Sequence, residues 1–433
     1  MINRRLTTAE AAERLGIKPA TLYSYVSRGL LHPERTPRGS LFDLQEVVQL
    51  SRSARHPGGP GHHAPRPVRG RPSGPEPVQE VPIFVTELTL IDQGRLYYRG
   101  EDAVDLSRSR SFEEVASWLW TGGWGEGEPS WTVPASMALV LSGALAALGP
   151  GVTPLERFMV AIVSGALCDD LRHDLNPAGV PVTGRALVAL LAAALPGARD
   201  RRLRSHGGPV PSIARRVWDG LALRPAGNRP DAEAISAAGV TAMDAALVLA
   251  ADHELAPSTL AARVAASFRA DPYAVVLTGL GPASGSWYAG STGAPSEVER
   301  LLREAHRLGP ERAIGERLRR GEDVPHGFGM PLYPDGDPRA AELLGRLEHV
   351  GAPERLDLVH RLLEVGAERG FPPPNFDLGL GALAYCAGMD LGAGQAIFTL
   401  GKVAGWLAHA IEEYTSPTRF RSRADYVGAI PDS

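Results

Sequence analysis

Six short polar clusters interrupt a chain otherwise rich in alanine, leucine and glycine. They are Tyr98-Arg-Gly-Glu-Asp102, Asp252-His-Glu254, the stretch from Ser284 to Gly293, the stretch from Gly327 to Arg339, Pro374-Asn-Phe-Asp377, and Arg421-Ser-Arg-Ala-Asp-Tyr426. Between them they supply carboxyl, imidazole and guanidinium groups, the types that move protons and hold anions. Taken singly, each cluster also has the composition of a turn or a cap. Read alone, His253 is a satisfied helix-end histidine and Arg421 a solvated tail residue. Other chemistries lack residues. Cys168 and Cys386 are the only cysteines, far apart and in apolar surroundings, so neither a disulfide framework nor a CxxC metal or redox site is available. His56, His62 and His63 have no cysteine or carboxylate neighbours and read as part of a linker rather than a metal site. No Walker or Rossmann glycine fingerprint follows a strand pattern. No metal and no permanently bound cofactor is expected.

The elements that must position these groups fall into a head, a tether and a body. With 433 residues, 44% hydrophobic and 22% charged, the chain has apolar material for a large core and more than one domain. The net charge of −4 hides an asymmetry. Up to residue 75 there are 12 basic residues and five acids, a net of +7, and the remainder carries −11. The opening Met-Ile-Asn-Arg-Arg lacks the apolar stretch of a signal peptide. The most apolar runs, near residues 136–149 and 186–195, fall short of the roughly 20 residues a bilayer span needs. A soluble protein in a reducing cytoplasm, without a membrane partner, is expected.

In the head, residues 1–52, Thr7 and Glu10 have capping-box spacing, and Ala11, Ala12 and Leu15 share a helical face. Gly16 stops that helix. A second runs from Pro19 to Arg28, with Leu22 and Val26 on its buried side and Gly29 as breaker. A basic turn from Pro33 to Gly39 then leads to Ser40-Leu41-Phe42, a candidate wing, and Asp43 caps a further helix. The run from Leu6 to Leu31 resembles the MerR/excisionase type of winged helix-turn-helix. Lys18, Thr21, Ser24 and Arg28 face outward from the second helix, a mixture suited to phosphates and base edges in a major groove. The +7 of the head supplies the electrostatic attraction DNA binding needs. The other reading is a solvated face in a protein-docking module.

Residues 53–81, rich in Pro, Gly, Arg and His and without apolar periodicity, read as a linker. From residue 82 the segments have helical length: 112–120, 136–148, 154–167, 184–195, 231–251, 259–266, 296–308, 339–350, 354–369, 378–387 and 394–413. A hairpin is expected around Glu87 to Arg99. The body is therefore read as all-α.

In their order and spacing, the clusters are similar to the citrate synthase family over residues 82–428. The similarity runs from Tyr98-Arg-Gly through Ala251-Asp-His-Glu-Leu, Asp337-Pro-Arg-Ala, Pro-Asn-Phe-Asp377 and Gly405-Trp-Leu-Ala-His409 to Arg421-Ser-Arg-Ala-Asp-Tyr-Val-Gly428. The resemblance implies a homodimer of helical subunits. Each would have a large domain, residues 82–283 and 381–433, and a small domain, 284–380, closing over oxaloacetate and acetyl-CoA or another acyl-CoA. It implies an acyltransferase that joins the two by Claisen condensation. Asp377 then matches the general base, and His253, Arg339 and Arg421 match groups that hold the dicarboxylate, Arg421 in the partner subunit's site. Three positions depart from the family. Tyr288 stands where an imidazole stabilises the enolate, Met330 stands where an imidazole polarises the keto group, and Lys402 stands where the family has arginine. A phenol can donate a hydrogen bond; a thioether cannot. His326, an addition beside Gly327-Phe-Gly, is either a replacement donor or a histidine in an exposed loop, and Arg317, Arg319 and Arg320 are either CoA-phosphate contacts or a solvated helix end. Ordinary citrate synthesis is therefore doubtful, and the alternative is a metabolite-sensing DNA-binding regulator.

Overall fold

The computed structural model describes residues 5–15, 17, 18, 21, 22, 25, 26, 31–36, 39–43, 47, 84–125, 131–149, 151–200, 210–222, 232–285, 295–417 and 420. The chain forms two compact units, Met1–Pro82 and Ile83–Ser433.

In the first unit, β1 (Arg5–Thr7), α1 (Thr8–Leu15), β2 (Glu34–Thr36) and β3 (Gly39–Asp43) follow in order, and β3 lies between antiparallel β1 and β2. The capping box forms: Glu10 Oε2 accepts from Thr7 N at 2.7 Å, and Thr7 Oγ1 accepts from Glu10 N at 3.4 Å. Leu6, Ala11, Leu22, Leu31, Phe42 and Val47 form a small core. Thr21, Leu22, Tyr25 and Val26 are helical, as the second-helix reading requires, and β2–β3 is the expected wing. Lys18 and Thr21 are exposed. Ser24, Arg28 and the linker at 53–81 lie outside the described residues.

The second unit opens with the expected hairpin, β4 (Thr89–Asp92) and β5 (Arg95–Tyr98), extended by β6 (Glu101–Asp102). Asp92 pairs with Arg95, so Gln93-Gly94 is a two-residue turn, with φ of 48° and 73°. The helices that follow are α2 (Ala103–Ser109), α3 (Phe112–Thr121), α4 (Ala135–Ala146), α5 (Pro154–Ala166), α6 (Val180–Ala194), α7 (Ile213–Leu221), α8 (Ala232–Ala250) and α9 (Pro257–Ser267). They continue as α10 (Pro272–Ala283), α11 (Pro295–Leu308), α12 (Pro310–Arg319), α13 (Pro338–Gly345), α14 (Pro353–Glu368), α15 (Phe376–Cys386) and α16 (Ala393–Thr415).

Helix α16 is the axis of this unit. Its 23 residues are buried almost throughout, and α3, α6, α8, α9, α10 and α15 pack around it. Glycine makes the closest approach. A Cβ on Gly405 would lie 2.4 Å from Ala251 O and 2.5 Å from Asp252 Oδ1, while Gly405 N donates to Ala251 O at 2.9 Å. The missing side chain thus lets α16 touch the loop that leaves α8, and that loop carries the Asp252-His-Glu254 cluster. Helix α8 is by length and composition apolar enough to cross a membrane, a property it shares with core helices, and half of it is buried in the unit.

Candidate active site

Two loops are zipped together to bring distant clusters into one place. Gly327 O accepts from Asn375 N at 2.9 Å, Gly329 N donates to Pro373 O at 2.8 Å, and Gly329 O accepts from Asn375 Nδ2 at 3.0 Å. Gly327 has φ of +102°, and a Cβ there would meet Val298 at 2.9 Å, so only glycine lets this loop lie flat on α11. Met330 leaves one side of the zipper and Asp377 the other, in the first turn of α15.

Both residues line a cavity of about 340 Å³. Its other polar walls are His253, Glu254, Asp337, Arg339 and Asn375, and its apolar walls are Leu255, Ala256, Pro257, Leu332 and Phe398. Asp337 anchors the polar end. Its carboxylate accepts from Arg339 Nε at 3.0 Å, Arg339 Nη2 at 2.8 Å and Phe376 N at 3.1 Å, which joins the start of α13 to that of α15. The Arg339 guanidinium lies 4.8 Å from the centre of the Phe376 ring and 5.3 Å from that of Tyr333. Burial opposes its charge, and the Asp337 carboxylate overrides this and raises its pKa. His253 Nε2 is 2.9 Å from Tyr333 Oη. Burial, followed by the nearby Arg339 and Lys402 charges, pushes the His253 pKa well below its usual value, so the ring is neutral at pH 7.

Asp377 is 7% exposed. Burial pushes its pKa up to about 7, with Arg339 pulling it down and Asp337 pushing it up. A carboxyl poised there can take a proton at neutral pH and give it back.

Behind His253 lies a second, largely buried set of charges. Asp252 accepts from Lys402 Nζ at 3.0 Å, from Thr89 Oγ1 at 2.6 Å and from His409 Nε2 at 3.1 Å. Burial alone would raise the Asp252 carboxyl, but the Lys402 and His409 charges hold it well below the usual carboxylate range. His409 Nδ1 meets Arg263 Nη1 at 2.9 Å, and Arg263 also pairs with Glu413 and Glu412. Arg263 Nη2 donates to Val85 O at 3.3 Å, and Glu412 Oε1 accepts from Thr86 Oγ1 at 3.1 Å and Glu87 N at 2.9 Å. The segment leading into β4 is therefore pinned to α9 and α16. Glu254, at the cavity edge, has a φ of +54°, a strained conformation for a residue with a side chain.

The structure thus brings together His253, Met330, Arg339 and Asp377. Lys402 sits beside this group but spends its ammonium on Asp252 and is not part of the cavity wall. His326 is half-buried one residue before the zipper and likewise does not line the cavity. Arg317 is held by Glu304, Glu297 and Glu322, Arg319 by Glu316, and Arg320 lies 3.8 Å from Glu304. Tyr288 and Arg421 lie outside the described residues. Sequence reasoning placed Asp252, Tyr333 and Asn375 within its polar clusters but gave none of them a role of its own. For Asp252 a signal was present: Lys402 and His409 stand two helical turns apart on one face of an otherwise apolar helix, and a buried cation there needs a carboxylate. No group of three or more His, Cys, Asp and Glu side chains able to hold a metal occurs among the described residues.

Fold and site define a class: a helical protein in which a buried carboxyl, an arginine and a neutral imidazole face one cavity. The chain belongs to the citrate synthase family, whose C-terminal-domain model matches residues 77–423. A citrate synthase of Haloferax volcanii is 29% identical over 81% of this chain and 95% of its own length. A putative citrate synthase 2 of Mycobacterium bovis is 30% identical over 82% and 92%, and a 2-methylcitrate synthase of Mycobacterium tuberculosis 27% identical over 77% and 84%. The fold matches the citrate synthase of Thermotoga maritima, at 22% identity and TM-score 0.61, over 83% of this chain and 97% of that one. It also matches, at 22% identity and TM-score 0.63, a ternary complex of carboxymethyl coenzyme A and oxaloacetate with citrate synthase from Thermoplasma acidophilum, over 82% and 96%. Residues 7–39 match the model of the MerR family of regulatory proteins.

Proposed function

We propose that the body binds an acyl-CoA together with oxaloacetate or a related 2-oxo acid, and that it condenses them slowly. The observation that carries this is Asp377: a buried carboxyl with a pKa near 7, sharing a cavity with Arg339, His253 and Met330. Asp377 takes a proton from the carbon next to the thioester, the resulting enolate attacks the keto carbon to form a carbon–carbon bond, and water then cleaves the thioester and releases CoA. Arg339 and His253 hold the acid. What is missing is a donor on the keto oxygen, since Met330 offers only a thioether. Tyr288 is the candidate donor to the enolate. Each lost donor costs about 10²- to 10³-fold in rate.

Two bodies are expected to form a homodimer with a large and a small domain each, bringing Arg421 to the other subunit's cavity. Exposed Leu260 and Val264 on one face of α9 and Phe268 just past its end, with Leu139 on α4 and Leu167 after α5, support an apolar interface. The setting inferred is cytoplasmic, without a membrane partner.

Thiol release with acetyl-CoA and oxaloacetate tests the reading. The expected parent rate is low, Asp377→Asn abolishes it, and Met330→His raises it by about 10²-fold. Equal rates in parent and Asp377→Asn would overturn the assignment of the base.

The second reading is a regulator whose helix-turn-helix head acts according to ligand in the body. The match of residues 7–39 to MerR regulatory proteins favours it. No thiol release from the parent, together with DNA retention that changes on adding an organic acid, would select it.

A further inference from the structure

The substrate class follows from charge accounting in the cavity, and it rests on the reading just given of an acid held by Arg339 and His253. A dicarboxylate requires cations in excess of the carboxylates already present. Among the described residues there are none. Arg339 gives Nε and Nη2 to Asp337, at 3.0 and 2.8 Å. Lys402 is 0% exposed and bound to Asp252 at 3.0 Å. His253 is neutral. Against these stand Glu254, which lines the cavity with no ion-pair partner among the described residues, and Asp377, half-ionised near neutrality. Arg421, outside the described residues, would bring one charge against those two.

Only Nη1 of Arg339 remains without a carboxylate partner, enough for a single carboxylate group. Beyond it the walls are Met330, Leu332, Leu255, Ala256, Pro257 and Phe398. The residue that replaced the keto-polarising imidazole thus continues an apolar surface. Leu332 is itself exposed while Phe398 is buried, so a second carboxylate lying there would lose part of its water and gain no donor, whereas an alkyl chain would bury methylenes against these side chains.

We propose that the acid accepted by this cavity is a 2-oxo monocarboxylate with a short unbranched alkyl chain, its carboxylate on Arg339 and its chain along Met330 and Leu332.

The test is calorimetric titration of the full-length protein with 2-oxobutyrate, 2-oxopentanoate, 2-oxohexanoate and oxaloacetate, with thiol release from acetyl-CoA followed in parallel. Affinity is expected to rise about fourfold per methylene along the series, with oxaloacetate weaker than 2-oxopentanoate. Met330→Gln, close to methionine in size, should flatten the rise to less than about twofold per methylene. Arg339→Ala, checked for folding by circular dichroism, should lose all four acids. Oxaloacetate binding tighter than the whole series overturns the proposal, as does an unchanged slope in Met330→Gln. The two readings fail differently. A rising series without thiol release leaves the ligand class standing and removes the condensation; thiol release with oxaloacetate alone does the reverse. No binding of any acid at millimolar concentration overturns both.

Discussion

Replacing Asp377 by Asn removes a carboxyl that the fold keeps protonated well above its ordinary range. The side chain ionises near 3.8 when unperturbed and near 7 in the folded chain, the difference coming first from burial. Between those values the folded protein holds a proton that the unfolded chain has released. Stability therefore falls as pH rises through this window, and the cost is complete above about pH 7. The two values lie roughly three pH units apart, and at 1.36 kcal/mol each the cost reaches about 4 kcal/mol. Asparagine has no proton to lose. Urea unfolding of parent and Asp377→Asn, followed by tryptophan fluorescence, should therefore give curves that differ by about 1 kcal/mol at pH 4.5 and by about 4 kcal/mol at pH 8, the variant being the more stable. Glu299 is also buried, and its pKa is pushed up to about 7. It tilts both curves the same way and drops out of the difference. Parallel pH profiles, or an Asn variant less stable at pH 8, would refute the argument. The predicted combination of higher stability and no thiol release is what a site paid for in folding energy must show.

Three further outcomes follow from particular contacts. Gly405→Ala puts a methyl within 2.4 Å of Ala251 O and 2.5 Å of Asp252 Oδ1, and should cost about 3 kcal/mol or more in urea unfolding while weakening acid binding through a displaced His253 loop. Lys402→Met leaves the buried Asp252 carboxylate with Thr89 and His409 as its remaining side-chain partners and should cost about 3–5 kcal/mol by the same assay. If the head contacts DNA phosphates, Lys18→Ala should lower the slope of log affinity against log salt by about 1 in fluorescence anisotropy, and an unchanged slope would remove Lys18 from the interface.

Where hydrophobic period was strong, the sequence was readable. Eleven helical segments and the β4–β5 hairpin were expected close to where they lie, because long Ala/Leu stripes and a two-residue glycine turn leave few alternatives. Helices α2, α7 and α10 were not expected, and of α12 only its arginine-rich end stood as one of two readings. Helix α10 shows why: it holds Gly279, Gly281 and Pro282, residue types that disfavour a helix interior, yet Gly279 is where the Trp406 ring passes, at 2.8 Å from a would-be Cβ. Tertiary contact, invisible in one sequence, overrode local preference. The site divides in the same way. Residue types and the family resemblance pointed to Asp377, His253 and Arg339, but the union of residues 330 and 377 depends on backbone hydrogen bonds between loops 327–329 and 373–375. The commitment of Lys402 to Asp252 could not be read from spacing either, since the partners are 150 positions apart.

The pinning of residues 85–89 to Arg263, Glu412 and Asp252 sets where this chain can be divided. A different head could be grafted ahead of residue 84 without touching the charge lattice. A cut only six residues later would strip the Thr89 hydroxyl from Asp252 and two caps from Glu412, and would unsettle a cavity that those residues never line. The leader segment belongs to the body by its hydrogen bonds, so modularity here ends earlier than the start of the hairpin suggests.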